Sequence, residues 1–280
     1  MPTRWQFLLR PTERTRTAPV PPAQLHGLAC RLLEGAGAEH HGQIKPFAVL
    51  PLMEAPHVPG HALLGLGWLD DFAVPPLEKL VGEHIRLGSQ FFTVADIRRD
   101  AAPYSALLSL PPTRRATLTF RSVTYFTRGD RWIPLPDPEL LYGNLIRRWD
   151  TFAPEPLPES LVTSLLGEVR LTRHTLRSAP VNLGPATRTG FTGEATFTLP
   201  PTAGHDLAST FTALSAFAEA AGTGAQTTHG LGWTTTSLEP MPERNGDDGA
   251  GGERTGRNRG ARDTRCEAGF RADHRTGPDP

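Results

Sequence analysis

The sequence predicts an α+β fold of two tandem ferredoxin-like (RRM-like) domains followed by a disordered tail. Hydrophobic periodicity over residues 5–97 gives the order β-α-β-β-α-β, and the same order recurs over residues 116–238. After residue 242 the chain becomes rich in Gly, Arg, Asp and Glu. We therefore predict domains at residues 1–110 and 111–240 and a tail at 241–280.

In the first domain, Pro21 and Pro22 open a helix that runs to about Glu34, because proline suits the first helical turn. Gly35 and Gly37 follow and end it. The other predicted elements are strands at Trp5–Arg10, Phe47–Leu52, Ala62–Leu69 and Gln90–Ile97, and a second helix from Pro75 with Leu77, Leu80, Val81 and His84 or Ile85 inward. A weak stretch at Leu108–Pro112 is the predicted linker.

The second domain shows clearer periodicity. Leu118 and Phe120 alternate with polar residues as in a half-buried strand, whereas Leu141, Leu145 and Trp149 follow helical spacing. The predicted strands are Ala116–Phe126, Val169–Leu176, Phe191–Leu199 and Leu231–Leu238, and the predicted helices are Pro138–Phe152 and Asp206–Ala221.

Composition restricts the class of function. Basic and acidic residues balance at 29 each, which argues against strong nonspecific nucleic-acid binding but allows a local basic groove. Two cysteines, Cys30 and Cys266, are too few for a disulfide framework, so we expect a cytoplasmic protein. No apolar run reaches the length of about 20 residues that a membrane span needs. The tail buries too little apolar area to offset its ordering entropy.

A glycine-rich loop follows the last predicted helix. Residues 222–232 contain four glycines in eleven positions, and glycine lets backbone N–H groups approach a phosphate or another backbone closely. The loop lacks the Lys-Ser/Thr pair of a P-loop, and its helix precedes the glycines rather than following them as in a dinucleotide fingerprint. It therefore favours contact with a long charged backbone, although a tight helix-to-strand turn also fits.

Four segments together resemble the CRISPR-associated endoribonucleases that process precursor CRISPR RNA, members of the RAMP superfamily. They are residues 40–52 (HHGQIKPFAVLPL), 119–126 (TFRSVTYF), 134–138 (PLPDP) with 147–149 (RRW), and 191–193 (FTG) with the glycine-rich loop. The resemblance covers about residues 5–238 and implies two ferredoxin-like domains that face each other, in agreement with the order of elements.

The resemblance also implies metal-independent RNA cleavage. The ribose 2′-OH would attack the adjacent phosphorus, giving 2′,3′-cyclic phosphate and 5′-OH ends. His40 and His41 fill the place of the family's general acid/base, and histidine suits this role because its pKa lies near neutrality. Which of the two acts stays open. Lys45 is the candidate for stabilising charge on the phosphorane. A solvated turn at the histidines is the structural alternative.

RNA binding is assigned to the loop and to three arginines. Arginine suits phosphate because its planar fork donates two parallel hydrogen bonds. The predicted RNA-binding residues are Gly222, Gly224, Gln226, Thr227, Thr228, His229, Gly230, Gly232, Arg31, Arg115 and Arg121. Arg115 and Arg121 share one side of a predicted strand under period-2 alternation.

The leading hypothesis is an endoribonuclease that cuts CRISPR repeats and keeps the mature guide RNA. We expect no cofactor and no metal site, since no Asp/Glu/His cluster has ligand spacing. The expected partners are precursor and mature CRISPR RNA and other CRISPR effector subunits, with no membrane association. The main alternative is a noncatalytic RAMP subunit that grips the guide, and a third class is a small-molecule enzyme that uses the loop for a nucleotide.

Overall fold

The computed structural model describes residues 1–13, 18–33, 44–71, 73–183 and 186–239. Within them the chain forms two antiparallel sheets, each covered by helices, which confirms the predicted fold class. The proposed disordered tail at 241–280 lies outside the described residues. No helix in the described part of the chain has both the length and the apolar character needed to cross a bilayer.

The N-terminal domain is a five-stranded sheet in the order β2-β3-β1-β5-β4, packed on one long helix. Its core includes the buried rings of Trp5, Phe7 and Trp68. The elements are β1 (Thr3–Pro11), α1 (Pro22–Leu33), β2 (Phe47–Glu54), β3 (Ala62–Trp68), β4 (His84–Leu87) and β5 (Gln90–Ala101), followed by a short helix α2 (Tyr104–Leu108).

The predicted second helix of this domain is wrong. Residues Leu77–Leu80 form only a 3₁₀ turn, Val81 is 50% exposed, and Gly82 takes a φ of +89° that ends the turn. The chain then alternates, with Ile85 and Leu87 buried and His84 exposed, as a strand paired with β5. The helix was predicted from four positions at helical spacing, and so few positions do not distinguish a helix from a turn followed by a strand.

The C-terminal domain has the sheet order β11-β6-β10-β9 and a separate two-stranded ribbon. Asp137 caps α3 by accepting a hydrogen bond from the Leu140 backbone N at 3.0 Å, and Pro138 occupies the first turn. The elements are β6 (Arg115–Thr124), β7 (Phe126–Arg128), β8 (Arg131–Ile133), α3 (Pro138–Phe152), α4 (Glu159–Glu168), β9 (Arg170–Leu183), β10 (Ala186–Thr198), α5 (His205–Ala221) and β11 (Thr234–Leu238).

The predicted order of this domain is confirmed with four differences. Neither helix α4 nor the ribbon of β7 and β8 was predicted. Strands β9 and β10 extend beyond the predicted spans as a long hairpin arm. The last strand begins at Thr234 rather than Leu231, since Gly232 has a φ of +68° that a strand residue does not adopt.

Helix α5 joins the domains by packing on the N-terminal sheet. A Cβ at Gly67 of β3 would overlap the carbonyl oxygen of Ala220, so glycine is required for this close approach. At the edge, an Arg4 Nη1 donates to Glu219 Oε2 at 2.9 Å. The C-terminal end of α5, and the glycine-rich loop that follows it, are thereby fixed at the domain junction.

Candidate nucleic-acid interface and active site

The glycine-rich loop folds mainly against other backbone. A Cβ at Gly232 would overlap the Thr223 carbonyl oxygen, and one at Gly224 would overlap that of Tyr125. The backbone N–H of Thr223 donates to Gly232 at 2.8 Å, and that of Ala225 donates to Tyr125 at 2.9 Å. The glycines permit these contacts with φ values between +67° and +87°. The amide groups that could have cradled a phosphate are therefore partly occupied within the protein.

The loop docks on the first domain through a 3₁₀ turn at Thr227–His229. The His26 ring of α1 stacks on the His229 ring with centroids 4.2 Å apart, and its Nδ1 lies 3.2 Å from the Thr228 carbonyl oxygen. Burial, reinforced by His26, lowers the pKa of His229 to about 4. His229 is therefore neutral at neutral pH and contributes to docking by stacking.

Arg148 of α3 connects three parts of the molecule. Its side chain is buried, with Nη1 donating to the Ala221 carbonyl and to Thr227 Oγ1 (2.9 Å), and Nη2 donating to the Phe47 carbonyl of β2 (3.2 Å). Burial lowers its pKa to about 10, opposed by Tyr104, so it remains a cation at neutral pH. Arg148 therefore holds the loop against both domains.

A cationic cleft of about 260 Å³ opens where these elements meet. It receives Ile44 and Lys45 from the first domain, three residues of α3, and the loop from Gly224 to Thr228. None of the described residues that line it is acidic. The cleft thus unites Lys45, predicted as a catalytic group, with the loop predicted to bind RNA.

The other predicted residues are spread over several places. His40 and His41 lie outside the described residues. Arg31 is exposed and donates to the Arg86 carbonyl oxygen at 3.3 Å, beside a separate hollow of the first domain. Arg115 pairs with Glu239 at 2.9 Å. Neither of these two arginines lines the cationic cleft.

Arg121 lies in a second and larger groove. The alternation in β6 is as predicted: Arg115 and Arg121 are both exposed while Ala116 and Phe120 are buried. Arg121 lines a groove of about 1020 Å³ that is bounded by Pro19–Ala23, the tip of the β9–β10 arm and the loop. Gln226 borders both this groove and the cationic cleft. It is the one described non-glycine residue with a positive φ, at 59°.

Sequence reasoning did not assign a role to Arg147, Arg148 or Asn144. Arg147 and Arg148 were noted only within a segment of the family resemblance. Helical spacing offered one signal, because Arg148 falls between Leu145 and Trp149 on the apolar side of α3, where an unpaired charge is rare. No pattern in the sequence identified its partners, which come from elements 70 to 100 residues away.

Two ferredoxin-like domains with a glycine-rich loop and a cationic cleft at their junction define the class of the protein as one with a tandem ferredoxin-like fold. The family model for "CRISPR-associated endoribonuclease Cas6" matches residues 118–234. The Cas6 endoribonuclease of Mycobacterium tuberculosis is 32% identical over 136 residues, which are 48% of this chain and 42% of that protein. The match thus spans less than half of the length of that relative.

Solved structures extend the similarity to both domains. A Cas6 product complex superposes with a TM-score of 0.73 at 28% identity, covering 85% of this chain and 100% of that chain. The Cas6 of Thermus thermophilus gives a TM-score of 0.66 at 26% identity, covering 85% and 98%. These comparisons confirm the predicted resemblance: over both domains the chain is similar to Cas6-type CRISPR-associated proteins.

Proposed function

We propose that this protein is an endoribonuclease that cleaves CRISPR repeat RNA in precursor transcripts to give mature guide RNAs. The observation that carries the proposal is the cationic cleft, where Lys45 and the glycine-rich loop meet at the domain junction. The similar structures include a Cas6 product complex, which supports an RNA ligand for the cleft. Cations without acidic neighbours suit a polyanion.

The proposed reaction needs two proton transfers and no metal. A base removes the proton of the ribose 2′-OH, the resulting oxygen attacks the adjacent phosphorus, and the bond to the 5′-oxygen breaks as an acid protonates that oxygen. The products are a 2′,3′-cyclic phosphate and a 5′-OH. His40 or His41 supplies the proton transfers, and the Lys45 ammonium stabilises the negative charge that builds on the phosphorane.

The covalent chain supports this assignment of roles. Ile44 lines the cleft, and His41 precedes it by three residues. Chain geometry limits the separation of their Cα atoms to about 11 Å. The short connection along the chain is compatible with a catalytic role for one of the two histidines beside Lys45.

Cleavage of a labelled repeat RNA tests the proposal. The protein should cut the unmodified RNA and leave an RNA with a 2′-deoxy group at the cut site intact. Replacing both His40 and His41 by Ala should abolish cutting, and the two single variants identify the acting histidine. A double His57→Ala and His61→Ala variant, in the turn between β2 and β3, is the matched control and should cut normally.

Failure to cut would favour the alternative of a noncatalytic RNA-gripping subunit, provided that the repeat RNA binds tightly. Retention of the product after cutting would support the proposed role of holding the mature guide, in the cytoplasm and in contact with other effector subunits. Absence of any RNA binding would contradict both the endoribonuclease and the noncatalytic subunit, and would leave the small-molecule enzyme as the remaining hypothesis. That third class gains no support from the loop, since its Thr223, Ala225 and Gly232 N–H groups bond to protein carbonyls.

A further inference from the structure

Three side chains of α3 that the proposed reaction does not use line the cationic cleft. Asn144, Arg147 and Arg148 occupy positions i, i+3 and i+4 of the helix, so they lie on neighbouring parts of one helix face. Lys45 lies in the same cleft but belongs to the first domain. The two domains therefore contribute polar groups from separate elements to one small volume.

Among the described residues, two buried polar atoms in this cleft, Asn144 Oδ1 and Arg148 Nε, have no hydrogen-bond partner. Arg148 is only 5% exposed, and both of its terminal nitrogens donate to protein acceptors, so Nε is the guanidinium nitrogen that no described residue satisfies. The ends of the Asn144 amide are nearly isosteric, so rotation by half a turn presents its NH₂ group instead. Unsatisfied buried groups are costly, and a ligand that accepts hydrogen bonds would satisfy them.

The charges of the site favour an anion. Arg148 stays protonated at neutral pH although burial lowers its pKa to about 10. Arg147 is exposed, and among the described residues no carboxylate pairs with its guanidinium. A rigid arginine held by the protein thus lies beside an arginine that can move to meet a ligand.

We propose that Arg147, Asn144 and Arg148 Nε form, with Lys45, a subsite for one backbone phosphate of the RNA. The inference rests on the proposed function for the identity of the ligand as RNA. Arg147 contacts the phosphate by its guanidinium fork, and Arg148 acts mainly as a positioning residue that fixes the loop. Because the contacts go to phosphate rather than to a base, they contribute affinity and register without sequence preference.

Binding of a repeat RNA that carries a 2′-deoxy group at the cut site tests the subsite without interference from cleavage. Arg147→Met should weaken binding about tenfold or more at moderate salt. It should also reduce the slope of log K against log salt by about 0.7, the value for one phosphate contact on a single strand. Arg147→Lys should recover part of the affinity, because the charge remains and the fork is lost.

A scan of single methylphosphonate substitutions identifies the phosphate. One substitution should weaken binding to the wild-type protein but have little further effect on Arg147→Met, while the other positions affect both proteins equally. Asn144→Asp keeps the shape of the side chain but adds a negative charge, so it should also weaken binding. Arg170→Met is the matched control, since Arg170 is exposed, bonds to the Val169 carbonyl and lies outside the cleft; it should bind normally.

The outcomes separate the subsite from the nuclease function. Normal affinity and salt slope in Arg147→Met, or losses that simply add at every methylphosphonate position, would overturn the subsite even if the wild-type protein cuts RNA. If binding changes in the variants as described but the wild-type protein does not cut the unmodified repeat RNA, the phosphate subsite is supported and the nuclease function is rejected.

Discussion

Replacing Arg148 by Met would test whether a single buried cation holds the domain junction together. Methionine keeps much of the side-chain volume but removes the donors to the carbonyls of Ala221 and Phe47 and to Thr227 Oγ1. All three acceptors then lose a charged partner inside the protein. The change also removes the side chain through which α3 holds the loop and β2 together.

The magnitude follows from two opposing terms. Burial lowers the pKa of Arg148 from its ordinary value to about 10, which means that the charged form is disfavoured by about 3 kcal/mol. Three hydrogen bonds from a charged donor contribute about 1.5–3 kcal/mol each, which more than offsets that cost. Removing one partner of such a buried set typically destabilises by about 3–5 kcal/mol. The melting temperature should fall on the order of 10 °C.

Urea unfolding followed by circular dichroism, alongside a thermal scan, measures this effect. Arg147→Met is the matched control, because Arg147 neighbours Arg148 on the same helix but is exposed; its stability should stay within about 0.5 kcal/mol of wild type. A loss below about 1 kcal/mol in Arg148→Met would refute the claim that its hydrogen bonds outweigh its desolvation.

Three further predictions concern packing, pH and metal. Gly67→Ala should destabilise the protein by about 1–3 kcal/mol in chemical denaturation, because the new Cβ would meet the Ala220 carbonyl. Gly27→Ala is the control: its Cβ has open space, so the variant should stabilise α1 slightly. Equal stability of the two variants would contradict the close approach of α5 to β3. Burial and His26 lower the pKa of His229 to about 4. Between pH 6.5 and 4 the unfolded chain therefore binds more protons than the folded protein. The stability that neutral His229 contributes is thus fully present above pH 6.5 and declines as the pH falls toward 4. His229→Gln should show a shallower decline over this window, and identical slopes would reject the assigned pKa. Cleavage of repeat RNA should persist in EDTA, and a loss restored by Mg²⁺ would require a different mechanism.

The sequence predicted most of the fold because long periodic segments carry a strong signal. Helix α3 has its predicted bounds of Pro138–Phe152, where a capping Asp137, a proline and repeated apolar residues agree. The 3₁₀ turn at Leu77–Leu80 was mistaken for a helix because Leu77, Leu80 and Val81 have helical spacing over a short length. Helix α4 was missed although its apolar residues also have helical spacing, and it is only ten residues long.

The candidate site was predicted in part. Lys45 was identified because it closely follows the two histidines in a segment of the family resemblance, and the loop was identified by its four glycines. The two share the cleft. Arg147 and Asn144 were not identified, since an exposed arginine and an isolated asparagine on a helix have no distinctive pattern. Their significance arises from α5 and β2 converging on α3, a long-range arrangement that spacing along the chain does not encode.

The glycine-rich loop was expected to serve both as a tight turn and as a binding element for RNA, and the positions of its glycines separate these two roles. Gly222, Gly224 and Gly232 are buried and let the backbone pass close to other backbone, whereas Gly230 is buried against the Leu25 side chain of α1. A side chain at any of them would first disturb the packing of the loop. The groups left at the surface for a ligand belong to Gln226 and its neighbours. We therefore predict that the proposed RNA recognition at this junction depends on side chains that the glycines place, and that loss of a glycine weakens RNA binding only as far as it disturbs the packing of the loop.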